Sequence, residues 1–373
     1  MPESKRLVDL VQGEIDDFLD ERDPQLAAIG AELAPFVDFS RDLLRGGKRF
    51  RALFCYWGWQ SVSGHTTSFD VQPDRSAPSD LGAIVLAASG LEVFHAAALV
   101  HDDIMDNSDT RRGRPSAHKR FESLHEEGRW TGSARGFGQS AALLLGDLLL
   151  SWSDELMDSS LSALSSRSAR DAARREFNLM RTEVTVGQYL DILEERSWRN
   201  YPEPELLSRA HRVIVYKSAK YSIEAPLIIG ATLAGASVEQ VSALRYFGLP
   251  LGIAYQLRDD LLGVFGDPGT TGKPSGDDLR EGKRTVLIAL ARTQLPSNSR
   301  SLLDELLGDP ELTPQQVSML QASIRDSGAV EQVERIIDHN VRLAVAAMED
   351  APLSEASKRQ LVQLADTVIK RSA

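Results

Sequence analysis

The sequence predicts an all-α protein, a single large helical domain over residues 1–373. Three observations carry that expectation. The helix formers Ala, Leu, Arg and Glu are plentiful. Apolar residues recur at three- and four-residue spacing, as in LVDLVQGEIDDFL and VERIIDHNVRLAVAAM. No convincing run of alternating β-branched residues and no Asn-Gly hairpin signal appears. The clearest breaks, Ser63–Asp80, Gly128–Ser140 and Gly266–Asp278, are rich in Gly, Pro, Ser and Asp, and read as loops between helices.

With 42% hydrophobic and 26% charged residues, the chain has ample material for a core. A net charge of −12 argues against nucleic acid as a partner. The single cysteine, Cys55, excludes an internal disulfide framework and a cysteine-based zinc cluster, and points to a reducing cytoplasm. The opening MPESKRLVDLVQGEIDDFLDE lacks the apolar core of a secretory signal. The longest apolar windows, Ile84–Val100 and Ala141–Trp152, are interrupted by Glu92 and His95 and by Asp147, so no transmembrane segment is expected.

Chemistry concentrates first in ALVHDDIMDNSDTRRGRPS, residues Ala98–Ser116. On a helix, Asp102 and Asp106 share one face about one turn, ~6 Å, apart. Like charges so placed repel, and a hard cation removes that cost. Oxygen-only ligands suit magnesium, which takes waters and substrate phosphates as its remaining ligands. Standing alone the segment would better suit a solvated acidic turn than a metal site, but the preceding AAALV is apolar. A second apolar helix ends the same way in AYQLRDDLLGVFGD, where Asp259 and Asp260 follow Leu249–Ala254 and Gln256 shares their face. Facing each other, two such ends would hold several divalent ions around one diphosphate.

Basic residues follow the acids. In LLRGGKRFR, Gly46 and Gly47 precede Lys48, Arg49 and Arg51 at a helix start, where backbone N–H groups and mobile cations suit an anion. It is not a Walker loop, because GxxxxGK[ST] is absent. Arg111 and Arg112 lie just beyond Asp106, YKSAKYS contributes Lys217 with Ser218, and GTTGKPSGDDLREGKRT contributes Lys273 and Lys283. Each of these alone also suits a solvated surface.

Together these residues resemble the trans-isoprenyl diphosphate synthases, or polyprenyl synthetases, over roughly Leu44–Thr285. The resemblance is carried by GGKRFR, an HxxxxxHDDxxxD stretch ending in RRG, the Gly146–Asp147 pair, GQYLD at Gly187–Asp191, KSA at Lys217 and QLRDD…GDP…TGK. It implies an all-helical bundle with a central cavity, a homodimer, and magnesium, three ions per site. It further implies condensation of isopentenyl diphosphate with dimethylallyl, geranyl or farnesyl diphosphate. By the same resemblance, Asp102, Asp106 and Asp259 are metal ligands and, with Lys217, catalytic. Arg111, Lys217, Ser218, Gln256, Lys273 and Lys283 would contact the allylic diphosphate, and Lys48, Arg51, His95 and Arg112 isopentenyl diphosphate. The second acidic motif departs from the family pattern, with Gly263 where many members carry a third aspartate, which puts affinity for the third metal in doubt.

Product length has a ruler on the first acidic helix, where Ala98, Ala97 and Phe94 lie four, five and eight residues before Asp102. Farnesyl-making relatives commonly carry a bulky residue at one of the two nearer positions. Both are alanine here, so the expected product is geranylgeranyl diphosphate, with farnesyl or longer prenyl diphosphates as alternatives. A class I terpene cyclase has no need for GGKRFR and His95. A histidine–aspartate phosphohydrolase would want more metal ligands than seven histidines provide. A non-catalytic synthase subunit normally loses one acidic motif, and both survive here.

Overall fold

The computed structural model describes residues 2–64, 80–267 and 275–369. Among them the backbone is almost wholly helical, as the apolar spacing predicts. The strand structure present is a two-residue antiparallel hairpin, β1 (Thr110–Arg111) with β2 (Arg114–Pro115). The chain groups into two compact units, Met1–Arg174 with Ile229–Ala236 and Arg175–Ile228 with Ser237–Ala373.

The first unit contains α1 (Pro2–Ala27), α2 (Ala34–Leu43), α3 (Phe50–Ser63), α4 (Asp80–Met105), α5 (Ala117–Glu127) and α6 (Ala134–Ala163). Helix α4 is apolar on nearly every side, the composition of a helix buried all round. It is long and apolar enough to cross a membrane, but its most apolar window is 78% buried within the protein, the position of a core helix. Its main partner is α6. Ser160 Oγ donates to Ala83 O and Ser153 Oγ to Gly90 O, both at 2.7 Å, while His101 Nε2 lies 3.3 Å from Leu143 O. Residue numbers fall along α6 as they rise along α4, so the two helices run antiparallel. Their apolar faces close over fully buried Ile84, Leu91, Leu145, Leu149 and Leu156.

The stretch Gly128–Ser140, expected to be a loop, is helical from Ala134 onward. Ser133 caps the helix, its Oγ accepting from Gly136 N at 3.1 Å. Cap and packing outweigh the poor helix propensity of Gly136 and Gly138.

In sequence order there follow α7 (Arg167–Ser197), α8 (Glu203–Val213), a π-helical stretch (Ile214–Glu224), α9 (Ala225–Leu233) and α10 (Val238–Phe265). Beyond them lie α11 (Asp277–Glu281), α12 (Val286–Gln294), α13 (Ser297–Leu306), α14 (Pro314–Asp326), α15 (Ala329–Ala346) and α16 (Glu355–Ile369). Helix α10 is the axis of the second unit, packing against the π-helical stretch, α11, α12, α15 and α16. It starts at a capping box between Ser237 and Gln240. Leu257, Leu261 and Val264 join Leu287, Ile288, Ile324, Val333 and Ile337 in one core. That core holds the acidic end of α10 and the Lys283 segment on one rigid support.

Candidate functional site

In the first unit, α4 delivers the acids. The backbone continues helically past Met105, with Asp106 N donating to Asp102 O at 2.8 Å, so the spacing expected for a shared face is kept. Asp102 is half-buried. Asp103 is 1% exposed, and Arg111 closes on it: Nε donates to Oδ1 at 2.9 Å and Nη2 to the same oxygen. Arg111 Nη2 also stands 3.6 Å from Asp102 Oδ2. The resemblance places Arg111 on the allylic diphosphate; here its guanidinium sits directly on the acids, a charge-assisted pair that tethers the hairpin to the helix end.

The hairpin turns at Arg112 and Gly113, with φ of 53° and 73°. Two successive left-handed residues make a type I′ turn, which suits an Arg-Gly pair because glycine takes the second position without strain. Arg112 Nη1 donates to Leu43 O at 3.4 Å. Close by, Arg49 is buried at the start of α3. Its guanidinium donates to Gln12 Oε1 (2.6 Å), Glu92 Oε2 (3.4 Å) and Leu44 O. Glu92, on α4, also accepts from Ala52 N at 3.2 Å. This buried pair fixes the GGKRFR turn against α4 and leaves Lys48 exposed and Arg51 half-buried beside it.

His95, three residues beyond Glu92 on α4, feels the charge of this basic group. Burial and the guanidinium groups of Arg51, Arg112, Arg111 and Arg49 hold its imidazole well below the usual range. The ring is therefore neutral at pH 7, able to donate one N–H to an anion whose charge the arginines balance. Immediately before Asp102, His101 packs on α6, where a Cβ at Gly146 would meet its Cε1 at 2.9 Å. His101 Nε2 stands 3.5 Å from Asp147 Oδ1, so the Gly146–Asp147 pair seats a histidine. Of the ruler residues, Ala97 is fully buried, Phe94 is 4% exposed and Ala98 is half-buried.

In the second unit, the cations converge on one carboxylate. Gly187 on α7 lets the π-helical stretch come close, for a Cβ there would overlap the Lys217 backbone, with Cα at 2.7 Å. One turn on, Asp191 Oδ2 accepts from Lys217 Nζ at 2.5 Å and from Lys283 Nζ at 3.2 Å. Lys283 also donates to Glu195 Oε1 at 2.8 Å. Two lysines 66 positions apart in sequence are thus held as a pair facing one acid. Removing the acid leaves two ammonium groups without it, so Asp191→Ala should cost about 3 kcal/mol of stability in urea unfolding. Inorganic pyrophosphate should then raise the thermal midpoint of the variant more than that of the wild type; equal shifts would mean the lysines do not form one anion seat.

Ser218 is half-buried beside Lys217. On α10, Asp259 is exposed, while Asp260 is 5% exposed and accepts from Gln256 Nε2 at 2.8 Å. Burial, with the carboxylates of Asp259 and Asp191 adding to it, pushes the Asp260 carboxyl up to about 7. Its Oδ2 is shut off from water with no hydrogen-bond partner among the described residues. An orphaned buried carboxylate oxygen beside an exposed aspartate is a donor set that fits a hard divalent cation. Among the described residues no three acidic, imidazole or thiol groups are gathered tightly enough to hold an ion unaided, so phosphate oxygens and water would complete any such site. Lys273 lies outside the described residues.

A cavity of about 560 Å³ opens elsewhere in the second unit, beside Trp198, Arg199, Glu203, Arg292 and Asp304. Arg292 is paired bidentately with Asp304 (2.6 and 2.7 Å) and Arg300 with Glu203 (2.9 Å), and none of the expected site residues lines it.

Acid-tipped helices with a separate cation cluster on each unit are the pattern that the resemblance implies, and a model of the polyprenyl synthetase family matches residues 35–324. The chain belongs to the polyprenyl synthetase family. It is a trans-prenyltransferase, and its all-α fold is that of the family's solved members. A geranylfarnesyl diphosphate synthase of Aeropyrum pernix is 30% identical over 87% of this chain and 91% of that one. A geranylgeranyl diphosphate synthase of Mycobacterium tuberculosis is 28% identical over 87% and 80%. The crystal structure of geranylgeranyl pyrophosphate synthase from Corynebacterium glutamicum, complexed with isoprenyl diphosphate and magnesium, superposes with a TM-score of 0.89. It is 37% identical, with 98% of this chain and 99% of that chain covered. In this polyprenyl synthetase the motifs offer Arg49 as an anion-facing cation and Asp191 only as the end of GQYLD, whereas the structure buries Arg49 against Glu92 and sets Asp191 under Lys217 and Lys283. Asp103 and Glu92 are further buried partners that no motif assigns.

Proposed function

We propose that this polyprenyl synthetase condenses isopentenyl diphosphate head-to-tail with dimethylallyl, geranyl and farnesyl diphosphates and releases geranylgeranyl diphosphate. The observation that carries the reading is His95, held neutral by burial and by the nearby charges of Arg51 and Arg112, an anion seat distinct in composition from the Lys217–Lys283 pair. Two chemically separate seats suit two diphosphate substrates. The M. tuberculosis and C. glutamicum relatives named for the same product support its length. The A. pernix relative makes a longer product the main competitor. Incubation with labelled isopentenyl diphosphate, each allylic primer and magnesium, with products sized by chromatography, tests the whole reading; a main product other than the twenty-carbon diphosphate overturns it.

The reaction needs no protein nucleophile. When the allylic C–O bond breaks, its electron pair and negative charge leave with the diphosphate. Lys217, Lys283, Lys273 and Arg111 neutralise that charge, while Ser218 and Gln256 add neutral hydrogen bonds. Magnesium would be held by Asp102 and Asp106 in the first unit and by Asp259 in the second, and would supply Lewis-acid neutralisation of diphosphate charge. Lys48, Arg51, His95 and Arg112 hold the isopentenyl double bond near the allylic carbon, so that carbon–carbon bond formation competes with capture by water. The C2 proton is then lost to the departed diphosphate.

Lys48→Ala or Arg51→Ala should weaken isopentenyl diphosphate more than the allylic substrate, and Lys217→Ala the reverse. Each lost charge-assisted contact should cost about 1.5–3 kcal/mol, roughly 10- to 100-fold in KM. Equal weakening of both substrates by all three variants would refute the division into two seats.

The family match runs across residues of both units, which supports one synthase domain over the full chain. Helix α6 exposes Phe137, Leu143 and Leu144, with Trp130 ahead of it, an apolar strip that supports a homodimer. Sedimentation equilibrium should give twice 41.0 kDa, and a monomer mass would exclude it. The single buried thiol and the acidic balance favour a cytoplasmic enzyme without nucleic-acid partners, which cell fractionation would check.

A further inference from the structure

The two acidic segments of this chain, DDIMD and DDLLG, differ in their last position. Asp106 lies one helical turn beyond Asp102, and the equivalent turn beyond Asp259 ends at Gly263, which carries no side chain. The space beside Gly263 is nevertheless filled. A Cβ there would overlap Asp278, coming within 2.7 Å of Oδ1 and closer still to Cγ and Oδ2. The carboxylate of Asp278, arriving from α11, thus occupies the volume that an aspartate side chain at position 263 would take.

We propose that Asp278 supplies the third carboxylate of the second acidic segment, donated to a divalent cation bound with diphosphate, and that position 263 is glycine to admit it. The inference rests on the proposed reading of Asp259 as a metal ligand. The backbone around Asp278 is fixed for such a role. Gln321 Nε2 on α14 donates both to Val264 O (2.6 Å) and to Ser275 Oγ (3.1 Å), clamping the start of α11 to the end of α10. Arg280 Nη1 donates to Ser275 O at 3.0 Å. The Asp278 carbonyl accepts from Gly282 N (3.1 Å) and Lys283 N (3.0 Å), which ties the carboxylate's position to that of the lysine on Asp191. Independently, Asp260 Oδ2 is buried without a hydrogen-bond partner among the described residues, an acceptor of the kind that a cation or its bound water satisfies.

Because the overlap is with the tip of a flexible side chain, a methyl group at position 263 would turn Asp278 aside without moving backbone. This separates the role of the carboxylate from its mere presence. The test is Mn²⁺ binding to the full-length protein with inorganic pyrophosphate, read by electron paramagnetic resonance, with circular dichroism to check the fold. Asp278→Ala should weaken one class of bound Mn²⁺ about 10-fold or more. Gly263→Ala, which deletes no charge, should do the same. The double variant Gly263→Asp with Asp278→Ala, its carboxylate now on α10, should recover binding to near wild type. Wild-type binding by Asp278→Ala, or no recovery in the double variant, overturns the proposal. Asp259→Ala serves as control. If it loses Mn²⁺ while Asp278→Ala does not, only this inference fails; if neither loses Mn²⁺, the metal role of the segment itself fails.

Discussion

Replacing Asp102 or Asp259 by alanine is expected to cut turnover by about 100- to 1,000-fold, the scale seen when one preorganised charge-stabilising group is removed. The helical fold should survive. Asp259 is exposed, and Asp102 is not the main partner of Arg111, which keeps both its donors on Oδ1 of buried Asp103. Removing one of several clustered carboxylates also relieves repulsion, so the thermal midpoint should hold or rise slightly. Excess chelator should abolish condensation and added magnesium restore it. Full activity in the presence of chelator would end the assignment of these aspartates to metal. A large drop in thermal midpoint for either variant would recast them as structural groups.

The sequence made the helices and the ligand-facing charges legible for a simple reason: both are written in local spacing. Three- and four-residue apolar recurrence marks α1 and α15, and DDIMD places two carboxylates on one face without any tertiary information. The supporting partners were not legible, because they pair across long stretches of chain. Asp191 meets Lys283 across 92 residues, and Arg49 meets Glu92 across 43. GQYLD contains both halves of the signal, a glycine and an acid one turn apart, but only the packed backbone shows that Gly187 admits Lys217 and Asp191 receives it. The π-helical register of Ile214–Glu224 is equally invisible, since the apolar pattern of so short a stretch fits an α-helix as well. Glycine content misled once, at Gly128–Ser140, where a serine cap and the packing of α6 on its neighbours decide the outcome.

Product length should respond to substitutions on α4 in opposite directions. At 3.6 residues per turn, Ala98 lies about 40° around the helix from Asp102, Phe94 about 80° and Ala97 about 140°. The burial of these residues follows that order of departure only in part. Ala98 is half-buried, as expected for a wall of a space that opens toward Asp102, whereas Ala97 is fully enclosed and Phe94 nearly so. Ala98→Phe is therefore the cleaner obstruction, and it should shift the main product from geranylgeranyl to farnesyl diphosphate. Ala97→Phe should act in the same direction but must force a ring into packed core, at about 1–3 kcal/mol of stability. Phe94 stands about one helical turn below Ala98, ~6 Å further along the axis, close to one extended isoprene unit. Phe94→Ala should accordingly lengthen the product. Truncating a buried phenylalanine can cost about 3–5 kcal/mol, so Phe94→Leu, a smaller loss of volume, provides a second and better-folded lengthening variant. Chromatographic sizing of the products decides between two outcomes. Shortening by Ala98→Phe together with lengthening at Phe94 makes this face of α4 the ruler. An unchanged distribution in every folded variant would place the floor of the hydrocarbon site on another helix, and the geranylgeranyl assignment would lose its structural support.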